Sequence, residues 1–446
     1  MSTPLRRQYL DIKRRYPGML LLFQIGDFYE AFDEDAQIIA RELGIVLTRK
    51  WFGKGNAHPL AGVPVRSLES HLAKLINRGY KVAVCDQVTP PGKGLVEREV
   101  VRIITPGTVI EPGLLERRAN NYLASFVADD RSAGLSYADV TTGEFRMTQL
   151  DRAQAASELE RIAPAELLVA SDFEMPSIEA RAITRLDSQL LELDTARQAL
   201  MDHFEVGSLE AYGAENQPLA ARAAGAIIAY LRDTQPDALA NLTQLQSYIA
   251  TAFMQLDPQT MRNLEIFQSW DFTGGAPTGS LVATIDLTGT PMGGRLLRRW
   301  LRHPLLEARE VRARQDFVEW FFRREQTRER VRTVLEDVLD VERLLGRVRR
   351  RLAVPYELVS LAHSLKHVSQ IRSSLEKEQA PAEFIEPLEP CDDLIGFIER
   401  AVSDRPPSEF ERGGIIRTGF SKELDDLRAT LGGGRTFLAD FEKRER

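Results

Sequence analysis

The stretch Met19–Glu30, MLLLFQIGDFYE, constrains the fold more than any other part of the chain. Its apolar run, Met19, Leu20, Leu21, Leu22 and Phe23, is too continuous for a half-exposed strand and reads as a buried one. Gly26 and Asp27 break the run. From Phe32 onward apolar residues recur at Ala36, Ile39, Ala40 and Leu43, the 3.6-residue period of a helix, and Asp27 is the candidate N-cap. Phe28 and Glu30 are therefore expected at a strand-to-helix junction, an edge where side chains are presented rather than packed. Tyr29, between them, is expected to point back into the domain. Taken alone, an aromatic near a helix start is ordinarily core, and a glutamate in the first turn ordinarily answers the helix dipole.

The rest of the chain divides by its periodicities. Thr3 and Pro4 open a helix with Leu5, Tyr9, Ile12 and Tyr16 on one face, and Pro17-Gly18 ends it. A short strand is expected at residues 44–48, then a basic loop, RKWFGKGN, at 49–56. Ser67 caps a helix carrying Leu68, His71, Leu72, Leu75 and Ile76. Strands follow at 80–87 and 98–105, joined by the turn PPGKG. Residues 1–110 thus read as a mixed α/β domain, and 106–119 as a linker. Residues 119–215 read as a second α/β domain, with a strand meander at 124–126, 134–140 and 144–149, a helix at 152–162 and a strand at 166–170. From Pro218 the pattern becomes helical and stays so to 446, beginning with a small-residue helix at 220–231. Helices are expected at 292–302, about 306–334, 335–352, 355–376 and 423–441, the last interrupted by Gly432–Gly434. Between them lie the apolar segment 264–270 and the turn GGAPTG at 274–279. The final EKRER carries no stop signal, so the chain is expected to end inside a helix of a longer protein. The fold class is multidomain, α/β followed by all-α.

Charge is unevenly placed. The whole chain carries a net −7, but residues 1–110 hold 16 Lys/Arg against 11 Asp/Glu, and residues 111–250 hold 11 against 22. A nucleic-acid partner needs a local positive surface rather than a positive total, and the basic excess lies with Phe28 and Glu30. No apolar run approaches the roughly 20 residues of a membrane span. Cys85 and Cys391 are the only cysteines, which excludes a disulfide framework and fits a reducing cytosol.

Catalytic signatures are scarce. There is no GxxxxGK[ST] phosphate loop, no HExxH and no CxxC; GKG at 53–55 and 92–94 and GGGRT at 432–436 lack the required lysine spacing. His363 and His367, four apart on a helix, can place two nitrogens on one metal, but no acidic or cysteine ligand stands beside them. Asp139 closes a strand where a two-metal nuclease would carry a carboxylate, with Glu144 and Asp172 as possible companions. The simpler reading of Asp139 is a turn former before Thr141-Thr142-Gly143. Arg295, Arg298, Arg299 and Arg302 form a basic face beside a Met292/Leu296/Trp300 stripe. Arg347, Arg349, Arg350 and Arg351 form another. Both read first as solvated faces; the alternatives are interdomain ion pairs or contacts to a further domain, not base reading.

GDFYE, with its flanking strand and helix, resembles the mismatch-reading motif of the MutS family of bacterial DNA mismatch-repair proteins. The likeness continues in order through HPLAGVP (58–64), LAKLINRGYKVAVCDQV (72–88), EREVVRIITPGT (97–108), MRNLEIF (261–267), TPMGGRLLRRWLRHPL (290–305), DVERLLGRV (340–348) and GFSKELDDLR (419–428). The resemblance implies a mixed α/β reader domain, a ribonuclease-H-like connector, and helical core and lever elements. It implies that Phe28 enters a duplex as a wedge and that Glu30 hydrogen-bonds the displaced base. Discrimination then comes from the deformation energy of the DNA, because a mismatched step gives way more cheaply than a paired one. Pro59 and Leu60 would buttress the groove, and Arg49, Lys50 and Lys54 would contact phosphates. Val65 and Arg66 stand where many family members have an aromatic and a histidine, so no role is carried to them. By the same resemblance this chain is a DNA-binding part, without cofactor or metal of its own. ATP and Mg²⁺ would belong to an ATPase domain beyond it. Its partners would be duplex DNA with mismatches or small loops, a second copy of the longer protein, and the repair protein MutL, all in the bacterial cytoplasm. The competing reading is a ribonuclease-H-like, metal-dependent nuclease centred on Asp139.

Overall fold

The computed structural model describes residues 3–52, 57–89, 96–173, 180–269, 279–408 and 410–431. Lys54, the PPGKG turn, most of GGAPTG, Gly432–Gly434 and the EKRER end lie outside them. The chain divides into two compact units, 1–311 and 312–446.

The first unit opens with α1 (Pro4–Arg15), β1 (Leu20–Ile25), β2 (Phe28–Phe32), α2 (Asp33–Leu43), β3 (Thr48–Trp51), β4 (Ala57–Pro64), α3 (Leu68–Asn77), β5 (Val82–Gln87) and β6 (Arg98–Ile104). The strands form one six-stranded sheet in the order β3-β4-β2-β1-β5-β6. β1 and β5 are parallel and the other neighbours antiparallel. The central β1 is apolar throughout because both of its faces are covered. On one face Leu21, Phe23, Phe32, Ala83 and Cys85 pack against Tyr9 and Ile12 of α1. On the other, Leu20, Leu22, Tyr29 and Ala31 pack against Ile39 of α2 and Leu72 and Leu75 of α3.

Three local expectations are corrected here. Phe28–Phe32 is a strand, not the approach to a helix. Ile25 pairs with Phe28, so Gly26 and Asp27 form a two-residue hairpin turn, and Gly26 takes φ +59 without strain. Asp27 caps nothing; α2 begins six residues later, at Asp33, with no side-chain cap. Residues 45–47 are not a strand: Gly44 ends α2 in the left-handed conformation and β3 starts at Thr48. HPLAGVP, to which the sequence assigns no element, lies in β4. Pro64 is the last residue of that strand, and Pro59 lies just past the pairing with β2.

A second six-stranded sheet, ordered β11-β10-β7-β8-β9-β12, follows. Its elements are β7 (Leu123–Ala128), β8 (Ser132–Asp139), β9 (Glu144–Asp151), α4 (Arg152–Ile162), β10 (Glu166–Ala170), β11 (Ala182–Leu186), α5 (Leu193–Phe204), α6 (Pro218–Thr234), α7 (Pro236–Leu239) and β12 (Gln246–Ser247). The sequence assigns α6 to the helical region, but it packs into the core of this sheet with Leu123, Ala138, Phe145 and Met147. Its small residues permit that approach. A Cβ on Gly134 of β8 would fall 2.0 Å from the Leu219 carbonyl carbon. Residues 106–119 are not a loose linker either. Thr105 and Thr108 are buried, and the buried Glu166 carboxylate accepts from Thr105, Thr184, the Gly107 N–H (3.0 Å) and the Tyr230 hydroxyl (2.8 Å). That carboxylate, 3.6 Å from Lys81 Nζ, ties the first sheet to the second.

The remaining helices are α8 (Pro258–Asn263), α9 (Leu281–Ile285), α10 (Pro291–Arg302), α11 (Ala308–Phe322), α12 (Glu325–Glu336), α13 (Val341–Arg349), α14 (Pro355–Lys377), α15 (Ala382–Ile385) and α16 (Asp392–Ala401). Residues 422–431 are also helical. The single helix expected at 306–334 is broken in two at Arg323-Arg324. In the second unit Trp320 packs with Ile371, Leu375 and Phe384, and Ala362 packs with Ile398, Ala401 and Val402.

Candidate nucleic-acid interface

Alternation along β2 sorts its side chains. Tyr29 is buried, and its hydroxyl donates to Asp86 Oδ1 at 2.6 Å. Burial, then the hydrogen bond to Asp86, pushes the phenol well above its ordinary range, so it stays protonated. Phe28 and Glu30 therefore share the opposite face, the one covered by α1. At the hairpin end of the sheet Phe28 is 47% exposed. Ile25 and Pro64 flank Phe28 in the ladder. The Asp27 carbonyl accepts from the Val65 N–H at 2.9 Å, which ties the hairpin turn to the end of β4. The ring thus stands on a rigid three-strand platform, as a group that must deform a partner requires.

Glu30 is only 16% exposed in its side chain, and Lys50 Nζ lies 2.5 Å from its Oε2. Lys50 also sits 5.7 Å from the centroid of the Phe32 ring. Beside this pair Arg6 is buried against Tyr9, Phe32 and Phe52 and forms an ion pair with Asp33, whose other oxygen is 2.8 Å from His58 Nδ1. Burial works against the Asp33 carboxylate, but the hydrogen bonds from Arg6 and His58 outweigh it and hold the carboxyl below its usual range. Arg98, packed over Phe23 at 5.0 Å, donates to Gln24 O, Val96 O and Gln8 Oε1.

The supporting residues separate. Lys50 and Leu60 lie on the Phe28 face. Arg49 and Pro59, paired with each other, alternate to the opposite face, where Arg49 is exposed beside Trp51. Lys54 lies outside the described residues. Sequence reading missed Ile25 and Pro64 as neighbours of Phe28, and missed Arg6, Asp33 and His58 altogether. The hairpin and β4 pairings that bring them together leave no local periodic signal.

Models described as MutS domain I, MutS domain II and MutS domain III match residues 3–112, 121–246 and 259–444. The chain is 45% identical over its whole length to a DNA mismatch repair protein MutS from Dehalococcoides mccartyi, covering 52% of that protein. It is 41% identical to the one from Methanothrix thermoacetophila and 39% to the one from Halothermothrix orenii, in each case over all of this chain and 51% of the relative. The chain belongs to the MutS family. It spans about half the length of the curated relatives it matches. The MutS domain I match contains the whole Phe28 face.

Other candidate chemistry in this MutS chain does not assemble. Asp139 is fully buried, and both its oxygens are taken. Oδ2 accepts from Asn120 Nδ2 (3.0 Å) and Asn121 N (3.3 Å), and Oδ1 from Thr141 N (2.9 Å) and Thr141 Oγ1 (2.7 Å). Glu144 accepts from Tyr122 and pairs with Arg146, and Asp172 accepts from Ser188. These carboxylates organise turns and strands, and the three matched models are all MutS models, which gives the nuclease reading no support. His363 is exposed and His367 bonds Gln370; among the described residues no group of three or more His, Cys, Asp or Glu could hold a metal ion. No described helix is long and apolar enough to cross a membrane.

The arginines of α10 reverse the expected arrangement. Arg295 is buried and donates to Arg117 O, Arg298 pairs with Glu116, Arg299 lies 3.7 Å from Glu144, and Arg302 stacks on Phe267. Leu296 and Trp300 of the apolar stripe are exposed. In the second unit Arg347 pairs with Glu357 at 2.7 Å, and Arg350 is buried against the carbonyl of Gly346. The α10 arginines are thus structural, in ion pairs or against carbonyls and a ring, whereas in the second cluster Arg349 and Arg351 remain exposed.

Proposed function

We propose that this chain recognises mismatched or unpaired bases in duplex DNA, as the first step of mismatch repair. Phe28 is the wedge and Glu30 the contact to the displaced base. The observation that carries this reading is the 47% exposure of Phe28 on a strand whose next residues, Tyr29, Ala31 and Phe32, are buried. An aromatic ring held rigidly at a sheet end can stack on a base but carries no base code. A paired step resists the unstacking, at a cost of a few kcal/mol, and a mismatched step has already lost part of what resists. Lys50 and Leu60 support the wedge from the same face; Arg49 and Pro59, on the other face, would reach a duplex only if it wrapped around the β3 edge.

The strand order β9-β8-β7-β10-β11, an antiparallel meander followed by two parallel additions, supports reading the second sheet as a ribonuclease-H-like connector. In this reading the chain itself is not an enzyme. Mg²⁺-dependent ATP turnover, dimerisation and recruitment of MutL in the cytoplasm belong to the longer protein whose relatives it half spans.

The test is a titration of wild-type and Phe28→Ala chains against a G·T duplex and its fully paired counterpart. Loss of one stacking ring removes about 1–3 kcal/mol, roughly 5- to 150-fold, from the G·T affinity and little from the paired one. Selectivity that survives Phe28→Ala overturns the wedge.

A further inference from the structure

The Lys50–Glu30 pair poses a problem for a carboxylate that has to meet a base. Lys50 starts on β3, two strands away from Glu30. Its side chain crosses β4 and passes the Phe32 ring to reach Glu30 Oε2 at 2.5 Å. The two side chains are 30% and 16% exposed, so the pair is largely shielded. Of the neighbouring charged groups, Arg6 and His58 are committed to Asp33; Arg98 donates to Gln24 O, Val96 O and Gln8, and its charge also acts on Glu30 without a direct contact.

An ionised Glu30 carried to a duplex meets phosphate repulsion, and a Lys50 tied to it offers the backbone nothing. One exchange resolves both. If the ammonium leaves Glu30 for a phosphate oxygen, the repulsive anion gains a base as its new partner and the backbone gains a cation. Such an exchange would need a kinked duplex that brings a phosphate over β3 while Phe28 holds the step open; a duplex that resists bending would leave the pair closed.

We propose that Lys50 is a specificity-determining residue, coupling a backbone contact to the base contact by trading Glu30 for a phosphate. This rests on the reading of Phe28 and Glu30 as the mismatch-reading pair.

A double-mutant cycle on this chain tests it, with Glu30→Gln, Lys50→Met and the combination, each titrated at low and increasing salt against G·T and paired duplexes. Glu30→Gln frees Lys50 for any phosphate. The paired-duplex affinity then rises about tenfold, and the salt slope steepens by about 0.9, the value of one phosphate contact. In the Lys50→Met background the same Glu30→Gln change relieves only the phosphate repulsion, so its gain is smaller and the salt slope does not steepen by the roughly 0.9 of a newly made phosphate contact. Equal gains in both backgrounds would mean that Glu30 merely repels phosphates, and would overturn the exchange. Lys50→Gln supplies the same comparison if the methionine variant unfolds. Phe28→Ala run in parallel separates the two ideas. Selectivity surviving Phe28→Ala removes the wedge reading, whereas its loss alongside an additive cycle removes only the exchange.

Discussion

The Tyr29 hydroxyl and the Asp86 carboxylate meet at 2.6 Å across the width of β1, linking β2 to β5 beneath the exposed Phe28. The bond fixes the inward member of the Phe28-Tyr29-Glu30 triplet and so the outward direction of the other two. Tyr29→Phe should lower stability by about 0.5–1.5 kcal/mol, the net worth of one such bond. The backbone ladder still holds Phe28 and Glu30 on one face, so preference for G·T over paired DNA should change less than threefold. Urea unfolding and duplex titration of the same preparation check both halves, and a collapse of selectivity would show that the hydroxyl, not the ladder, sets the geometry.

The apolar run of β1, the Thr3-Pro4 helix start and the inward turn of Tyr29 were legible in the sequence, because each rests on local periodicity or on a cap that needs no distant partner. β2 was not. Five residues of alternation are a weaker signal than the eleven-residue helical period beside them, and the helix was extended back to Asp27 at the strand's expense. β4 was hidden by Pro59 and Pro64, which a sheet tolerates there only because of where the pairing with β2 ends. The Lys50–Glu30 pair joins residues 20 apart through a side chain that crosses an intervening strand. No spacing rule foretells it. In α10 the apolar stripe does not mark the buried face, because Arg295 and Arg302 are held inward by carbonyl oxygens and by the Phe267 ring.

Asp139 provides a second prediction. Five donors, Asn120 Nδ2, Asn121 N, Thr141 N, Thr141 Oγ1 and Thr142 N, converge on its two oxygens, so Asp139→Asn turns an acceptor into an amide whose own hydrogens face some of those donors. About 1–3 kcal/mol of stability should be lost, the cost of a buried polar group left mismatched. Mismatch preference should persist in whatever fraction remains folded. Thermal unfolding and titration against the G·T duplex measure the two effects, and wild-type stability in Asp139→Asn would contradict the turn-organising role.

His303, at the end of α10 and outside the sheet that carries Phe28, gives the chain a pH-sensitive point. Its ring meets Phe253 edge-on at 5.1 Å, and its Nδ1 is 3.1 Å from the Arg299 carbonyl. Burial, then the Arg161 charge, drives its pKa down to about 3; Arg302 and Arg146 act the same way, and the bond to Arg299 opposes them. The unfolded imidazole titrates near 6.5, so between these values the unfolded chain binds a proton that the folded chain refuses. The stabilisation is therefore complete above about pH 6.5 and is lost as pH falls toward about 3. From about pH 7.5 to 5.5 the loss should be about 1.4 kcal/mol. His303→Phe, which keeps the ring against Phe253 and removes the titrating nitrogens, should flatten the urea-unfolding free energy over that interval by the same amount. An unchanged slope in that variant would place the acid sensitivity on other groups and leave His303 without the part assigned to it.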